Sequence, residues 1–385
     1  MNCPAFAELD ADALAHSRRL VELIRREIAS SQGWIGFDRF MQLALYAPGL
    51  GYYSGGATKL GAGGDFVTAP ELSPLYSRTL ARQIGDVVLL SAGDVLELGA
   101  GSGRMAEEVL LALDDTGVLP ARYLILEVSG QLAERQRQRL RNLPERLASR
   151  VAWIDRLPDA FRGAVVLNEV LDALPVHLIT WSESGIRERG VASSADAFVW
   201  DDRTANDHKL LAAARRLNPP APYLSELARV GPALLAALGG ILECGVVLVI
   251  DYGFGEREYY HPQRNRGTLM CHFRHRAHDD PFFLPGLQDI TSHLDFTALA
   301  RAGMQAGLDL LGYTTQANFL VNLGITELMT LTPAQDAGAY LPLAAQAQKL
   351  LSPAEMGELF KVIALGRGID RALAGFRAGD MSRLL

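Results

Sequence analysis

The sequence of 385 residues has few cysteines, no long hydrophobic run and no excess of positive charge. Its three cysteines, Cys3, Cys244 and Cys271, are widely spaced and odd in number, which argues against a disulfide framework and predicts a reducing compartment. No apolar run reaches the roughly 18 residues of a membrane-spanning helix, so no membrane span is expected. The N-terminus lacks a cationic start followed by an apolar core, so no targeting segment is predicted and a cytoplasmic location is expected.

The formal net charge of −7 argues against a general nucleic-acid binder, because such a protein neutralises phosphates with lysine and arginine. At this length, with 49% hydrophobic residues, the chain can bury a large core, which excludes a small binding module. We therefore expect one enlarged catalytic domain or two domains.

A run that reads as a strand and ends in a glycine-rich turn is the most informative feature. The apolar pair Val95-Leu96 leads into Glu97, and Gly99, Gly101 and Gly103 follow before a helical pattern begins. Glycines at alternate positions let the backbone pass flat beneath a ligand, because they lack a Cβ. A carboxylate just before them disfavours a pyrophosphate and suits a cationic or amino-bearing group. We therefore predict that these four residues bind S-adenosylmethionine.

The rival interpretation is the dinucleotide fingerprint G-x-G-x-x-G, whose third glycine comes three positions after the second. Here it comes two positions after, and Arg104 occupies the place of that glycine. Downstream, the apolar run 123–126 ends at Glu127, an acid that could accept both ribose hydroxyls in either class of cofactor. Glu127 thus supports a nucleoside ligand without choosing between them, and a tight turn with no ligand is the third interpretation.

From residue 94 onwards, short apolar runs alternate with amphipathic helical patterns, which predicts an α/β fold with a parallel sheet wrapped by helices. Residues 91–176 and 244–385 are predicted to form this core. Residues 1–90 read as helices and a glycine-rich lid, and residues 177–243 as an inserted hairpin with helices. Within the core, residues 252–293 have little periodicity and are expected to form a long loop that faces the substrate.

Acidic residues follow another predicted strand. Residues 165–167 run directly into Asn168 and Glu169, and ligands of open α/β sheets bind beyond the carboxyl ends of the strands. If a helix begins there, Glu169 and Asp172 share a face and could grip a guanidinium, orienting it for methyl transfer. The alternative is a pair of residues that only offset a helix dipole. Asp251, at the end of a further strand, is another candidate.

The segment 271–280 carries three histidines at three-residue spacing, which would suit a zinc site on a helix. Two arginines lie between them, however, and fixed positive charges disfavour a bound cation, so we predict no metal. We expect a polar loop that lines the substrate groove. His275 or His278 could then relay the proton that the substrate loses, since histidine titrates near neutral pH.

Ordered motifs along residues 30 to 367 resemble those of the MidA family, which includes the mitochondrial arginine methyltransferase needed for assembly of respiratory complex I. The motifs are Gly64-Asp65-Phe66-Val67-Thr68-Ala69-Pro70-Glu71, the turn 97–103, Asn168-Glu169 with Asp172-Ala173-Leu174-Pro175, Asp251-Tyr252-Gly253, and Asp289-Ile290-Thr291 with Asp295-Phe296.

The resemblance implies a class I, Rossmann-like methyltransferase fold, with a mostly parallel seven-stranded sheet and an inserted region. It also implies methylation of a protein arginine at its terminal nitrogens, with symmetric dimethylation as one outcome. The three glycines of the turn would cradle the donor and Glu127 its ribose, with Asn168 beside it. Asp65 and Thr68 would lie near the donor's amino-acid end. The roles of Glu169, Asp172 and His275 at the substrate are inferred from their chemistry.

The sequence thus predicts an S-adenosylmethionine-dependent methyltransferase that acts on a protein arginine. Because no targeting segment is visible, we expect a bacterial member, whose partner is a complex I type subunit or another protein. One alternative keeps the donor and methylates oxygen or nitrogen of a small molecule. The other is a non-catalytic assembly factor that binds its partner through residues 177–202 and 252–293. A monomer and a homodimer are both compatible with the sequence.

Overall fold

The protein is built around a large mixed sheet, seen in a computed structural model that describes residues 11–55, 68–195, 197–333 and 335–385. The strands are β1 (Ile35–Gly36), β2 (Asp94–Leu98), β3 (Tyr123–Leu126), β4 (Val151–Ile154), β5 (Phe161–Asn168), β6 (Val176–Ser182), β7 (Gly185–Ser194), β8 (Ala197–Arg203), β9 (Tyr223–Ala228), β10 (Leu242–Phe254), β11 (Met270–Phe273), β12 (Arg276–His278), β13 (Asp289–Thr291), β14 (Leu294–Asp295), β15 (Asp309–Thr315) and β16 (Phe360–Arg367).

Helices cover both faces of this sheet. They are α1 (Ala11–Ser30), α2 (Phe37–Tyr46), α3 (Ala69–Leu72), α4 (Pro74–Ser91), α5 (Arg104–Asp115), α6 (Gly130–Leu140), α7 (Glu145–Ala148), α8 (His208–Leu217), α9 (Val230–Ile241), α10 (Glu256–Tyr259), α11 (Phe296–Gln305), α12 (Gln316–Asn322), α13 (Ile325–Thr330), α14 (Ala337–Leu351) and α15 (Met356–Leu359). Within the described residues, no helix is both long and apolar enough to cross a membrane.

The main sheet has the order β15-β16-β10-β5-β2-β3-β4, and the two-residue strand β14 pairs with β10. Neighbours from β10 to β4 are parallel, whereas β16 is antiparallel to both β10 and β15. The sheet is thus mostly parallel, as predicted, but it has eight strands rather than seven because β14 adds to one end of β10.

The core lies on both faces of this sheet, because successive side chains of a strand point to opposite sides. On β5, Val166 packs with one buried cluster, while Val165 and Leu167 pack with the other. Strands buried on both faces read as continuous apolar runs, which is why β2, β3 and β5 stand out in the sequence. Helix α5 follows its apolar spacing, since Met105, Val109 and Leu113 are all buried.

A second, antiparallel sheet is built from the inserted region. Its order is β1-β7-β6-β9, and β8 pairs with β7. The predicted hairpin at residues 177–202 is therefore part of a larger sheet. One of its strands, β1, comes from the N-terminal region, and α2 packs against β6 and β7. The inserted sheet is thus joined directly to the N-terminal helices.

The segment 252–293 differs from the long loop that we expected. It contains β11, β12 and β13, which form a three-stranded antiparallel sheet. Strands of three or four residues are too short to leave a clear period in the sequence, and this explains the difference.

Candidate active site

A cavity lies beyond the carboxyl ends of β2, β3 and β5, where ligands bind in open α/β sheets. It is lined by Tyr46, Tyr53, Thr68, Pro70, Glu71, Glu97, Gly99, Ala100, Gly101, Ser102, Arg104, Met105, Glu127, Val128, Leu132, Asn168, Glu169, Val170 and Ala173. The structure therefore brings together Glu97, Glu127, Asn168 and Glu169, which come from three different strand ends.

The glycine turn between β2 and α5 forms the floor of this cavity. Gly99, Gly101 and Gly103 have φ values of +64°, +54° and +81°, in the left-handed region that side chains rarely adopt. A Cβ at Gly99 would also lie 3.0 Å from the Val170 side chain. The Gln136 side chain donates a hydrogen bond to the Gly101 carbonyl over 3.0 Å, which fixes the turn from outside.

Glu97 enters the cavity from β2 and is almost fully buried. The Tyr123 hydroxyl donates a hydrogen bond to its carboxylate over 2.6 Å. Burial raises the pKa of Glu97 to about 7, although the Tyr123 hydrogen bond acts in the opposite direction. The carboxyl group is therefore poised between its charged and neutral forms near neutral pH, and a cationic ligand would favour the charged form.

Glu127 stands at the end of β3 with its carboxylate held in place. One oxygen accepts a hydrogen bond from the Ser129 amide over 2.8 Å, and the other accepts one from the Gln136 side chain over 2.9 Å. Val128, which follows it, lines the cavity with 81% of its surface exposed. The fixed acid beside an open apolar surface suits a nucleoside, whose ribose and base have these two characters.

Glu169 follows β5 in a conformation that the sequence did not predict. Its φ is +53°, and residues 169–175 form turns rather than the expected helix. Its carboxylate accepts hydrogen bonds from the Ala69 amide over 3.1 Å and from the Asn168 amide group over 3.2 Å. Burial, followed by the charge of Asp172, raises the pKa of Glu169 to about 8. A positive φ at a glutamate is strained, and such residues cluster at functional sites.

Asp172 lies behind Glu169 and does not line the cavity. The Tyr252 hydroxyl donates a hydrogen bond to its carboxylate. Burial raises the pKa of Asp172 to about 6. The two acids are thus close enough for the charge of Asp172 to act on Glu169, but they do not share a helix face as predicted.

Asp251, three residues before the end of β10, holds the loop that carries Glu169 and Asp172. Its Oδ2 accepts hydrogen bonds from the amides of Leu171 and Asp172, over 3.2 and 3.3 Å. Its Oδ1 accepts one from the Tyr252 amide over 2.9 Å. Burial and the charges of Asp172 and Glu169 raise the pKa of Asp251. Asp251 therefore fixes the position of the loop and is itself shielded from solvent.

Two tyrosines that the sequence did not identify as a pair form another wall of the cavity. The rings of Tyr46 and Tyr53 stack with their centroids 5.4 Å apart. The Tyr46 hydroxyl donates to the Ala173 carbonyl over 3.1 Å, and the Tyr53 hydroxyl donates to Asp289 over 3.0 Å. Burial and the charge of Asp289 raise the pKa of both hydroxyls, which stay protonated at neutral pH.

The remaining wall includes Thr68 and three polar residues that the sequence analysis did not name as site residues. The Ser102 hydroxyl donates a hydrogen bond to Glu71, which lies in α3. Arg104 begins α5, and its buried Nε has no hydrogen-bond partner among the described residues. Asp65, the other predicted residue of this region, lies outside the described residues.

His275 lies away from the cavity. It occupies the two-residue turn between β11 and β12, with a φ of +61°, and its side chain is exposed. The histidines of this segment lie on a hairpin, so the zinc arrangement considered for a helix does not form. His278 packs against Phe283, and burial lowers its pKa. Neither His275 nor His278 lines the cavity, so the structure does not bring the predicted proton relay to the site.

Comparison with known proteins adds independent information about this cavity. Residues 79–314 match the family described as an S-adenosyl-L-methionine-dependent methyltransferase. The mitochondrial protein arginine methyltransferase NDUFAF7 of Danio rerio is 28% identical over 86% of this chain and 82% of its own length. The corresponding protein of Mus musculus is 27% identical over 91% of this chain and 86% of its own length.

A solved structure is similar over nearly the whole chain. It is a COG1565 superfamily protein from Burkholderia thailandensis, crystallised with S-adenosyl-homocysteine. It is 49% identical, covers 99% of this chain and 100% of its own, and superposes with a TM-score of 0.96. That protein's ligand is the product that remains when S-adenosylmethionine has lost its methyl group.

Proposed function

Because the chain belongs to the family of S-adenosylmethionine-dependent methyltransferases, we propose that it transfers the donor's methyl group to a terminal nitrogen of an arginine in a protein partner. The enzyme class, the donor and the α/β methyltransferase fold follow from the family. The acceptor is the proposed part. NDUFAF7, a relative at 27–28% identity, is named as a protein arginine methyltransferase, which supports an arginine acceptor.

In this proposal the donor lies across the glycine turn. Gly99, Gly101 and Gly103 pass beneath it, and Glu97 attracts its amino group. Glu127 accepts the ribose hydroxyls, and Val128 covers the base. The unpartnered Nε of Arg104 would then pair with the donor's carboxylate, since a guanidinium suits a carboxylate. Thr68 and Asn168 line the same cavity and complete the set.

The observation that carries the arginine acceptor is the buried acid wall beside this cavity. Glu169 lines the cavity, and Asp172 and Asp251 stand behind it. Asp172 and Asp251 are buried and Glu169 is half-buried, and within the described residues none of the three has an arginine or lysine paired to it, so the group favours a cation. A guanidinium offers the planar fork that pairs with a carboxylate.

The methyl transfer can be written with these residues so that atoms and charges balance. The arginine nitrogen attacks the methyl carbon of the sulfonium, the carbon–sulfur bond breaks, and S-adenosyl-homocysteine leaves as a neutral thioether. The nitrogen gives up one proton, and Glu169 is the carboxylate positioned to accept it. Burial raises the pKa of Glu169 to about 8, so the carboxyl group is mostly protonated near neutral pH, and the bound guanidinium must first shift it to the charged form that takes this proton. Symmetric dimethylation, a respiratory complex I type partner, the cytoplasmic location and the oligomeric state stay predictions.

The test uses the purified chain with a methyl-labelled donor and a protein extract from cells that lack this chain. Proteins are separated from metabolites, hydrolysed and analysed for labelled methylarginines. We expect label in methylarginine from the protein fraction, and none when Glu169 is replaced by glutamine. Label that appears only in small molecules would favour the metabolite acceptor, and label in neither fraction would favour the non-catalytic assembly factor.

The pH dependence of donor binding should follow the ionisation of Glu97. Its pKa of about 7 means that the negative charge forms as the pH rises from 6 to 8. We expect the donor's affinity to increase about three- to tenfold over that range, because the charged form attracts the donor's amino group. Calorimetry at several pH values measures this change. Glu97→Gln should abolish the dependence, and a slope that persists in this variant would assign it to another group.

The variant Asp251→Asn tests whether Asp251 positions the loop that carries Glu169 and Asp172 without affecting donor binding. The asparagine side chain keeps one acceptor oxygen, but its NH2 group would face backbone amides that now donate hydrogen bonds to Asp251. We expect kcat to fall roughly 10- to 100-fold and the stability to fall by about 1–3 kcal/mol, with donor affinity changed less than threefold. Steady-state kinetics, calorimetry and thermal melting measure the three quantities.

Asp309→Asn, at the exposed first residue of β15, is the matched control and should leave all three quantities unchanged. If Asp251→Asn weakens donor binding as much as it lowers kcat, Asp251 supports the donor site rather than the acid loop of residues 169–175.

A further inference from the structure

Asp38, His177 and Glu188 meet at a junction outside the cavity. The His177 Nδ1 atom lies 2.8 Å from a Glu188 oxygen and 3.6 Å from an Asp38 oxygen. One ligand atom from each of the three residues lies within 4.8 Å of the other two. Asp38 is in the first turn of α2, His177 is on β6 and Glu188 is on β7. The group therefore joins the N-terminal helices to the inserted sheet.

The charges of this group are not balanced by the protein. Within the described residues, no lysine or arginine forms an ion pair with Asp38 or Glu188. The side chains are mostly shielded, since 16% of His177, 34% of Asp38 and 11% of Glu188 is exposed. Two carboxylates offer more negative charge than a single imidazole can offset, and such a charge is costly to bury without a cation.

The backbone leaves room at the same place. Gly36 caps the N-terminus of α2, and a Cβ at this position would overlap an Asp38 oxygen and lie 3.2 Å from a Glu188 oxygen. Any other residue would therefore fill the space between the carboxylates. The absent side chain at residue 36 leaves the space in which the Asp38 oxygen approaches Glu188.

The donor atoms and their spacing suit zinc. Zinc binds imidazole nitrogen and carboxylate oxygen at about 2.0–2.2 Å, so two tetrahedral ligands lie roughly 3.4 Å apart. The 3.6 Å separation is close to that value, whereas the 2.8 Å separation is a hydrogen bond between His177 and Glu188, so zinc would replace the shared proton and these two ligands would move slightly apart. The partial exposure of Asp38 leaves a side open to solvent, where a water molecule would complete the coordination.

We propose that Asp38, His177 and Glu188 bind one zinc ion that ties α2 to the inserted sheet. The site is not catalytic, but both elements that it joins lead to the cavity. Helix α2 begins beside Asp38 and ends at Tyr46, which forms one wall of the cavity. His177 is the second residue of β6, and this strand directly follows the acid loop 169–175. A bound ion would therefore hold two walls of the cavity at a fixed separation.

The test titrates the full chain, freed of metal with a chelator, with zinc chloride at pH 7.5 in a calorimeter. We expect one zinc ion per chain with a Kd of about 10 μM or tighter. Asp38→Asn, His177→Gln and Glu188→Gln should each weaken binding at least tenfold. His275→Gln is the matched control, because its imidazole is exposed on the hairpin, and it should bind zinc like the natural chain.

Hydrogen–deuterium exchange provides a second measurement of the proposed link between α2 and the inserted sheet. Zinc should slow exchange within α2 and β6 of the natural chain, and it should have no effect on Asp38→Asn. Asp38 is the most exposed of the three ligands, so this variant is expected to fold even if the His177 variant does not. Unchanged zinc affinity in Asp38→Asn, loss of affinity in His275→Gln, or the absence of zinc binding would each overturn the proposal.

Discussion

Replacing Glu169 with glutamine is expected to lower kcat by about 100- to 10,000-fold, the range by which a positioned acid or base accelerates a reaction. Glutamine has the same shape and still accepts the amide hydrogen bond from Ala69. It cannot take a proton or carry the charge that attracts a guanidinium. The measurement is the initial rate of methyl transfer to arginine at saturating donor, with donor affinity determined by calorimetry.

Donor affinity should change less than threefold in this variant, because Glu169 is assigned to the acceptor rather than to the donor. Glu243→Gln, an exposed acid on β10, is the matched control and should behave as the natural chain. If the Glu169 variant loses donor affinity by the same factor as kcat, Glu169 belongs to the donor site and the acid wall needs another interpretation.

Local features of the sequence were sufficient to predict much of the central sheet and the glycine turn that follows β2. The strand β2 begins at Asp94, where the predicted pattern of apolar runs starts, and the turn that follows it has three glycines with positive φ. Both depend on neighbouring residues, since a buried parallel strand needs a continuous apolar run and a left-handed turn favours glycine. Glu97 and Glu127 were predicted for the same reason, because each directly follows such a run.

Features that depend on distant parts of the chain were not predicted. Tyr46 donates to a carbonyl 127 residues away, and Tyr53 donates to an acid 236 residues away. No spacing rule connects such pairs. The strand β15 was missed because its first residues are exposed or half-buried, which weakens its apolar pattern.

The acid loop shows where local reasoning gave a wrong result. Spacing alone placed Glu169 and Asp172 on one face of a helix. The positive φ of Glu169 breaks that helix, and no glycine or asparagine at this position signals the turn. The amides of the loop are held instead by Asp251, from a strand that lies 80 residues further along the chain. Glu169, Asp172 and Asp251 are therefore brought together by the sheet and not by a helix.

Replacing Gly101 with valine is expected to abolish donor binding, with an affinity loss of at least about 100-fold. Gly101 has a φ of +54° and lines the floor of the cavity. A β-branched residue is a poor fit to this conformation, and its side chain would occupy space above the turn. Calorimetric titration with S-adenosylmethionine measures the effect, and NAD serves as the nucleotide that should not bind to either chain.

The control variant Gly117→Val distinguishes loss of the ligand site in Gly101→Val from the effect of backbone strain alone. Gly117 has a φ of +72°, and a Cβ there would meet no other atom within 4 Å. It follows the C-terminus of α5, at the opposite end of that helix from the cavity. Valine there imposes a comparable backbone cost, so thermal melting should fall in both variants while only Gly101→Val loses the donor. Full donor affinity in Gly101→Val would mean that the donor does not lie across the turn, and the roles assigned to the three glycines would have to be withdrawn.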